Sequence, residues 1–137
     1  MKKILTFIIA AIALSLCGCS KDGDYNPKDI VGKWEAVKTV ASYHGETETI
    51  LYGEDAGIRT ILEFFEDGTL IATEMEYYLG SWHTYTDHLL YELKGNRLYI
   101  LSGDAADLII ETLTSTQLVI KGTYGEENSA TYYNRVD

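Results

Sequence analysis

The stretch from Ile58 to Leu101, IRTILEFFEDGTLIATEMEYYLGSWHTYTDHLLYELKGNRLYIL, decides the fold. It is rich in Tyr, Ile and Thr, and apolar residues often alternate with polar ones, the period of a half-buried β-strand. Turn chemistry breaks it at short intervals. Glu66-Asp67-Gly68 carries the Asp-Gly hairpin signal, and Lys94-Gly95-Asn96-Arg97 offers Gly-Asn at a second tight turn. The stretch therefore predicts strands near 58–66, 69–78, 83–94 and 97–102.

The same pattern continues outward. Strands are expected near 33–43 and 47–52, divided at His44-Gly45-Glu46, and near 107–113, 117–123 and 129–136, divided at Thr114-Ser115-Thr116 and Gly122 to Asn128. Asn26-Pro27 reads as a cap followed by proline at the first helical position, so Pro27 to Val31 predicts one short helical turn before the first strand. No helical stretch of useful length separates the strands, which disfavours a parallel α/β sheet. The fold class is all-β: an antiparallel up-and-down meander of eight or nine strands that closes and so removes its exposed edges. An immunoglobulin-like sandwich is the alternative, without the cysteine pair beside a tryptophan that would support it.

The first twenty residues, MKKILTFIIAAIALSLCGCS, have a different build. Lys2 and Lys3 precede an apolar run of 13 residues from Ile4 to Leu16, interrupted by Thr6 and Ser15. The run is shorter than the about 20 residues of a spanning helix and has the three-part form of a secretory signal. Its end, Leu16-Cys17-Gly18-Cys19, resembles a bacterial lipobox, which implies cleavage before Cys19 and a lipid on its sulfur. The resulting division is a signal peptide over 1–18, a lipidated Cys19 with a polar tether over 19–29, and a barrel domain over 30–137. The localisation it implies is lipid anchoring in a bacterial outer membrane, on the periplasmic or the cell-surface side. Lys21-Asp22 resembles the acidic surface-export tag of Bacteroidota-type lipoproteins, against the plainer reading of a hydrophilic spacer.

Cleavage moves the formal charge from −10 to −12, since the leader carries two lysines and no acid. An acidic surface repels phosphate backbones, and no Lys/Arg patch offsets it, so nucleic acid is excluded as a partner. Both cysteines, Cys17 and Cys19, lie in the leader region. The folded domain therefore holds by packing alone, and thiol catalysis and zinc fingers are excluded.

Gly32-Lys33-Trp34 at the first strand and Arg135 in the last resemble the lipocalins, which share a Gly-x-Trp and a basic residue at these places. Phe64-Phe65-Glu66-Asp67-Gly68-Thr69 and Tyr91-Glu92-Leu93-Lys94-Gly95-Asn96-Arg97-Leu98 are similar to the short lipocalin-like lipoproteins of Bacteroidota. The resemblance spans about residues 30–136. It implies a lipocalin-like barrel of about eight strands whose end is closed by Gly32, Trp34 and Arg135, with Trp34 stacked on Arg135. It also implies binding of a small apolar or amphipathic molecule. The chain has no room for the long C-terminal helix of many lipocalins, which argues against a large cavity.

Residue parity counted from Trp34 predicts an interior that includes Ala36, Val40, Leu62, Phe64, Ile71, Met75 and Tyr77, extended by Tyr85, Leu89, Tyr91, Leu98, Ile100, Leu118, Ile120 and Tyr133. Bulges can flip such a count. Met75, Tyr77, Tyr85 and Tyr91 are the predicted ligand contacts, because Met adapts to varied apolar shapes and Tyr adds a polar handle. With the acidic charge they suit a neutral or cationic amphiphile. The aromatic segment Tyr77 to Tyr85 reads either as a binding surface or as a hairpin with rings paired across strands. Glu74 and Glu76 share one strand face and are expected to face water. No catalytic residue, metal site or cofactor is predicted: His44, His83 and His88 lack a ligand spacing, and no nucleophile elbow or phosphate loop occurs. An eight-stranded barrel either fills itself with side chains or holds one small ligand. Two functions follow: a carrier of a small apolar molecule, or a non-enzymatic interaction module that serves an envelope protein partner.

Overall fold

The computed structural model describes residues 25–101 and 107–136. Cys19, the expected signal peptide over 1–18 and most of the expected tether over 19–29 lie outside the described residues. The strands are β1 (Gly32–Tyr43), β2 (Glu46–Leu51), β3 (Ile58–Phe64), β4 (Thr69–Tyr78), β5 (Ser81–Lys94), β6 (Arg97–Ile100), β7 (Asp107–Leu113), β8 (Gln117–Tyr124) and β9 (Glu127–Arg135). Each bond between neighbours is antiparallel, and β9 returns to pair with β1. The sheet is thereby closed as a barrel, as the meander predicts.

Nine strands make eight staves. β2 and β3 pair end to end with the same edge of β1, β2 against Lys38–Tyr43 and β3 against Gly32–Glu35. A bulge at Val37 marks the join: Ala36 faces Tyr133 and Lys38 faces Tyr132, leaving Val37 extra. Its carbonyl accepts from the Tyr52 amide, 3.0 Å away, where the chain leaves β2.

The bulge flips the parity of β1, the usual consequence of one inserted residue. Trp34 and Ala36 point inward below it, and Thr39 and Ala41 above it. Val40 is therefore outside, opposite Ala130, which corrects the parity count from Trp34.

The β3–β4 turn produces a second correction. Phe64 pairs with Leu70, so Leu70 and Ala72 share the inner face with Phe64 and Leu62. Ile71, Met75 and Tyr77 are outside, while Glu74 and Glu76 are on the inner parity, the reverse of the hydrophobic reading. The turn fixes this register: the Phe65 amide donates to Thr69 O, the Gly68 amide donates to Phe65 O, and the Asp67 carboxylate accepts from the Thr69 amide at 2.9 Å. The Thr69 bonds also hold the Asp67 carboxyl below its usual value.

The core lies at one end. Pro27–Ile30 forms a 3-10 turn, capped by the Asn26 side chain accepting from the Lys28 amide at 3.0 Å. It carries Ile30, fully buried, under the barrel. Trp34, 0% exposed, sits above it and donates from Nε1 to Ile30 O at 2.8 Å. Phe64, Leu70, Leu98, Ile110 and Leu118 complete the floor. At the other end the hairpins His44-Gly45 and Leu79-Gly80 turn through two residues with positive φ, the geometry that suits the strand twist.

Candidate functional site

Inside the staves, above the floor, is an apolar chamber of about 300 Å³. Leu62, Phe64, Leu70, Leu89, Leu98 and Ile120 line its lower part, and Tyr133 its wall. Burial pushes the Tyr133 phenol well above the ordinary tyrosine range.

A belt of hydroxyls crosses the barrel higher up. Thr39 Oγ1 lies 2.8 Å from Thr131 Oγ1 and 2.9 Å from the Tyr52 hydroxyl. Thr39 is buried, and this pairing satisfies an otherwise costly polar group. Ser129 and Thr131 also line the chamber, with Gly122 across from Ser129. A glycine inside a strand leaves the wall thin there.

The closed end is tied by Arg135. Its guanidinium carbon lies 4.2 Å from the Trp34 ring centroid. Its three nitrogens donate to Ser115 O at 2.8 Å, Val31 O at 2.9 Å and Asp29 O at 2.9 Å. One side chain thus links the last strand, the β7–β8 turn and the 3-10 plug. Gly32, with a strongly positive φ, starts β1 beside them.

The four predicted ligand contacts separate. Met75 and Tyr77 are on the outer face, away from the chamber, because the β3–β4 register reverses β4. Tyr77 instead pairs with Trp82 across the hairpin, centroids 5.5 Å apart. Tyr91 points inward at the floor: its ring stands edge-on to Phe64 at 4.9 Å and its hydroxyl donates to Phe65 O at 2.7 Å. It supports the β3–β4 turn and does not line the chamber. Tyr85 is on the inner parity at the open end, its hydroxyl 3.3 Å from that of Tyr78. That contact with Tyr78 chiefly, then desolvation and the nearby Glu76 and Glu74 charges, hold the Tyr85 phenol above its ordinary value.

The chamber residues that the parity count missed are Leu70, Ala72, Leu108, Tyr124 and the small or hydroxyl-bearing Gly122, Ser129 and Thr131. For β4 a signal existed: the five residues between Phe64 and Leu70 put the two opposite each other across a hairpin. Among the described residues, no group of three His, Cys, Asp or Glu side chains is placed to hold a metal.

No family model matches the chain, and no curated protein matches it in sequence. Among solved structures it is similar to bovine odorant binding protein in complex with its natural ligand. The TM-score is 0.52 at 13% identity, over 86% of this chain and 78% of that one. At that identity the likeness is one of fold. What the two share is a closed antiparallel barrel of eight staves, so this chain has a lipocalin-like fold.

Proposed function

We propose that this protein is a non-enzymatic carrier that takes a small apolar or amphipathic molecule into its barrel. The observation that carries the reading is the apolar chamber of about 300 Å³, floored by the Trp34 core and open at the opposite end. Apolar pockets of that size with a few polar groups suit small ligands. The odorant binding protein's bound natural ligand lends the fold-level analogy. Titrating N-phenyl-1-naphthylamine, a neutral dye that brightens in apolar surroundings, into residues 20–137 tests it. Saturable binding is expected, with Kd about 1–100 μM for contacts of this extent. A strictly linear signal would contradict the reading.

A second reading rests on the β4–β5 hairpin. Its tip residue Leu79 is 92% exposed, next to the outward Tyr77–Trp82 pair. Such a tip suits a protein partner in an envelope complex. Absence of dye binding would leave that interaction module as the better account.

We further propose that Cys19 anchors the domain to a bacterial outer membrane, as in the Bacteroidota lipocalin-like lipoproteins that the leader and the turn motifs resemble. Cys19→Ala should abolish incorporation of a labelled fatty acid in the producing cell. Equal label in wild type and variant would remove the anchor from the account.

A further inference from the structure

The inner surface changes character along its length, and at the open end its charge has one sign. On β2, Glu46 and Glu48 pair with Tyr43 and Ala41, and Ala41 faces the chamber residue Ser129. On β4, Glu74 and Glu76 share the face of Leu70 and Ala72, opposite Tyr85 and His83 of β5. Asp87 is opposite Ala72, and Glu127 is opposite the chamber residue Tyr124. Six carboxylates thus fall on the inner parity around the mouth. Glu46, Glu48 and Glu127 line one depression of about 340 Å³ with Ala41 and Tyr43.

The basic residues have the opposite distribution. Among the described strand residues, Arg135 is the one Lys or Arg on the inner parity, and it is at the closed end over Trp34. The others, from Lys33 and Lys38 on β1 to Lys121 on β8, fall outside. Arg59 pairs with Glu35 at 2.7 Å on the outer face, and Lys38 lies over the Tyr132 ring. His83 is the inward basic group of the β4–β5 hairpin, stacked on Tyr78 with centroids 3.9 Å apart.

We infer that the barrel selects amphiphiles with a positively charged head, the apolar part entering the chamber and the head resting among Glu74, Glu76 and Asp87 beside Tyr85. This inference rests on the carrier reading. A cation at this height meets carboxylates of both strands of the hairpin with no Lys or Arg on the same face, and the exposed Tyr85 ring adds cation–π attraction. The acids are spread around the rim, without three converging on one point among the described residues, which suits a bulky organic cation better than a metal ion. An anionic head of the same tail length meets the same field as repulsion.

Displacement of N-phenyl-1-naphthylamine from residues 20–137 by octyltrimethylammonium, octanol and octanoate tests this. The ammonium compound should displace the dye at a concentration at least about tenfold below that of octanoate, with octanol between. About 0.5 M NaCl should shrink the gap, since exposed charges are screened. Glu74→Gln/Glu76→Gln/Asp87→Asn should narrow it in the same direction. If the three compounds displace equally in the wild type, or the gap ignores both salt and the triple substitution, the cation selectivity is wrong and the carrier reading stands. If the dye itself does not bind, both fall together.

Discussion

Trp34→Ala is expected to cost about 3–5 kcal/mol of folding stability, the range for a large buried aromatic. The indole is 0% exposed, donates to Ile30 O and supports both the floor and the 3-10 plug. Arg135→Ala should cost less, about 1–3 kcal/mol, by withdrawing a charged donor from Ser115, Val31 and Asp29. Because guanidinium and indole are in contact, the losses should not add; a coupling of about 0.5–3 kcal/mol is expected. Urea unfolding of the two single variants and the double variant measures it. Strict additivity would mean that stacking contributes nothing to closure.

The β4 register sets which of two neighbouring residues carries the packing. Leu70 is 3% exposed on the inner face, while its neighbour Ile71 is half-buried on the outer. Leu70→Asn loses a buried leucine and leaves an amide without partners, about 3–5 kcal/mol together. Ile71→Asn leaves its amide in reach of water and should cost about 1 kcal/mol. The same urea experiment compares them. A larger loss at Ile71 would put Met75 and Tyr77 back inside the barrel and displace Glu74 and Glu76 from the mouth.

That strand also shows where the sequence stops being legible. Strand existence and order were readable throughout, because Asp-Gly, Gly-Asn and His-Gly turns punctuate alternating segments and leave few ways to pair them. The Asn26-Pro27 cap located the plug for the same local reason. The side chains inside were harder. The rule that apolar residues face inward assumes a dry interior, and it holds at the floor, where Phe64, Leu98, Leu118 and Tyr133 are buried. At the mouth the inner parity is exposed, as Glu74, Tyr85 and Asp87 are, so carboxylates occupy it at little cost, and Ile71, Met75 and Tyr77 are left outside. Val40 failed for a different reason. The bulge at Val37 is set by where β2 gives way to β3, a long-range pairing that no local pattern in β1 announces.

The mouth carboxylates also bear on stability. Like charges held around one rim repel, and repulsion weakens the compact state. Their placement is tolerated because the rim is open to water, whereas the floor carries the packing.

Occupation of the barrel interior by a small molecule is tested most directly by a methyl chemical-shift map of residues 20–137 titrated with octanol. Saturable shifts are expected at the inward methyls of Leu62, Leu70, Leu89, Leu108 and Ile120, with the outward methyls of Ile71, Met75 and Leu90 unmoved. Shifts confined to the outer face or to the Leu79 hairpin tip, with a silent interior, would contradict it.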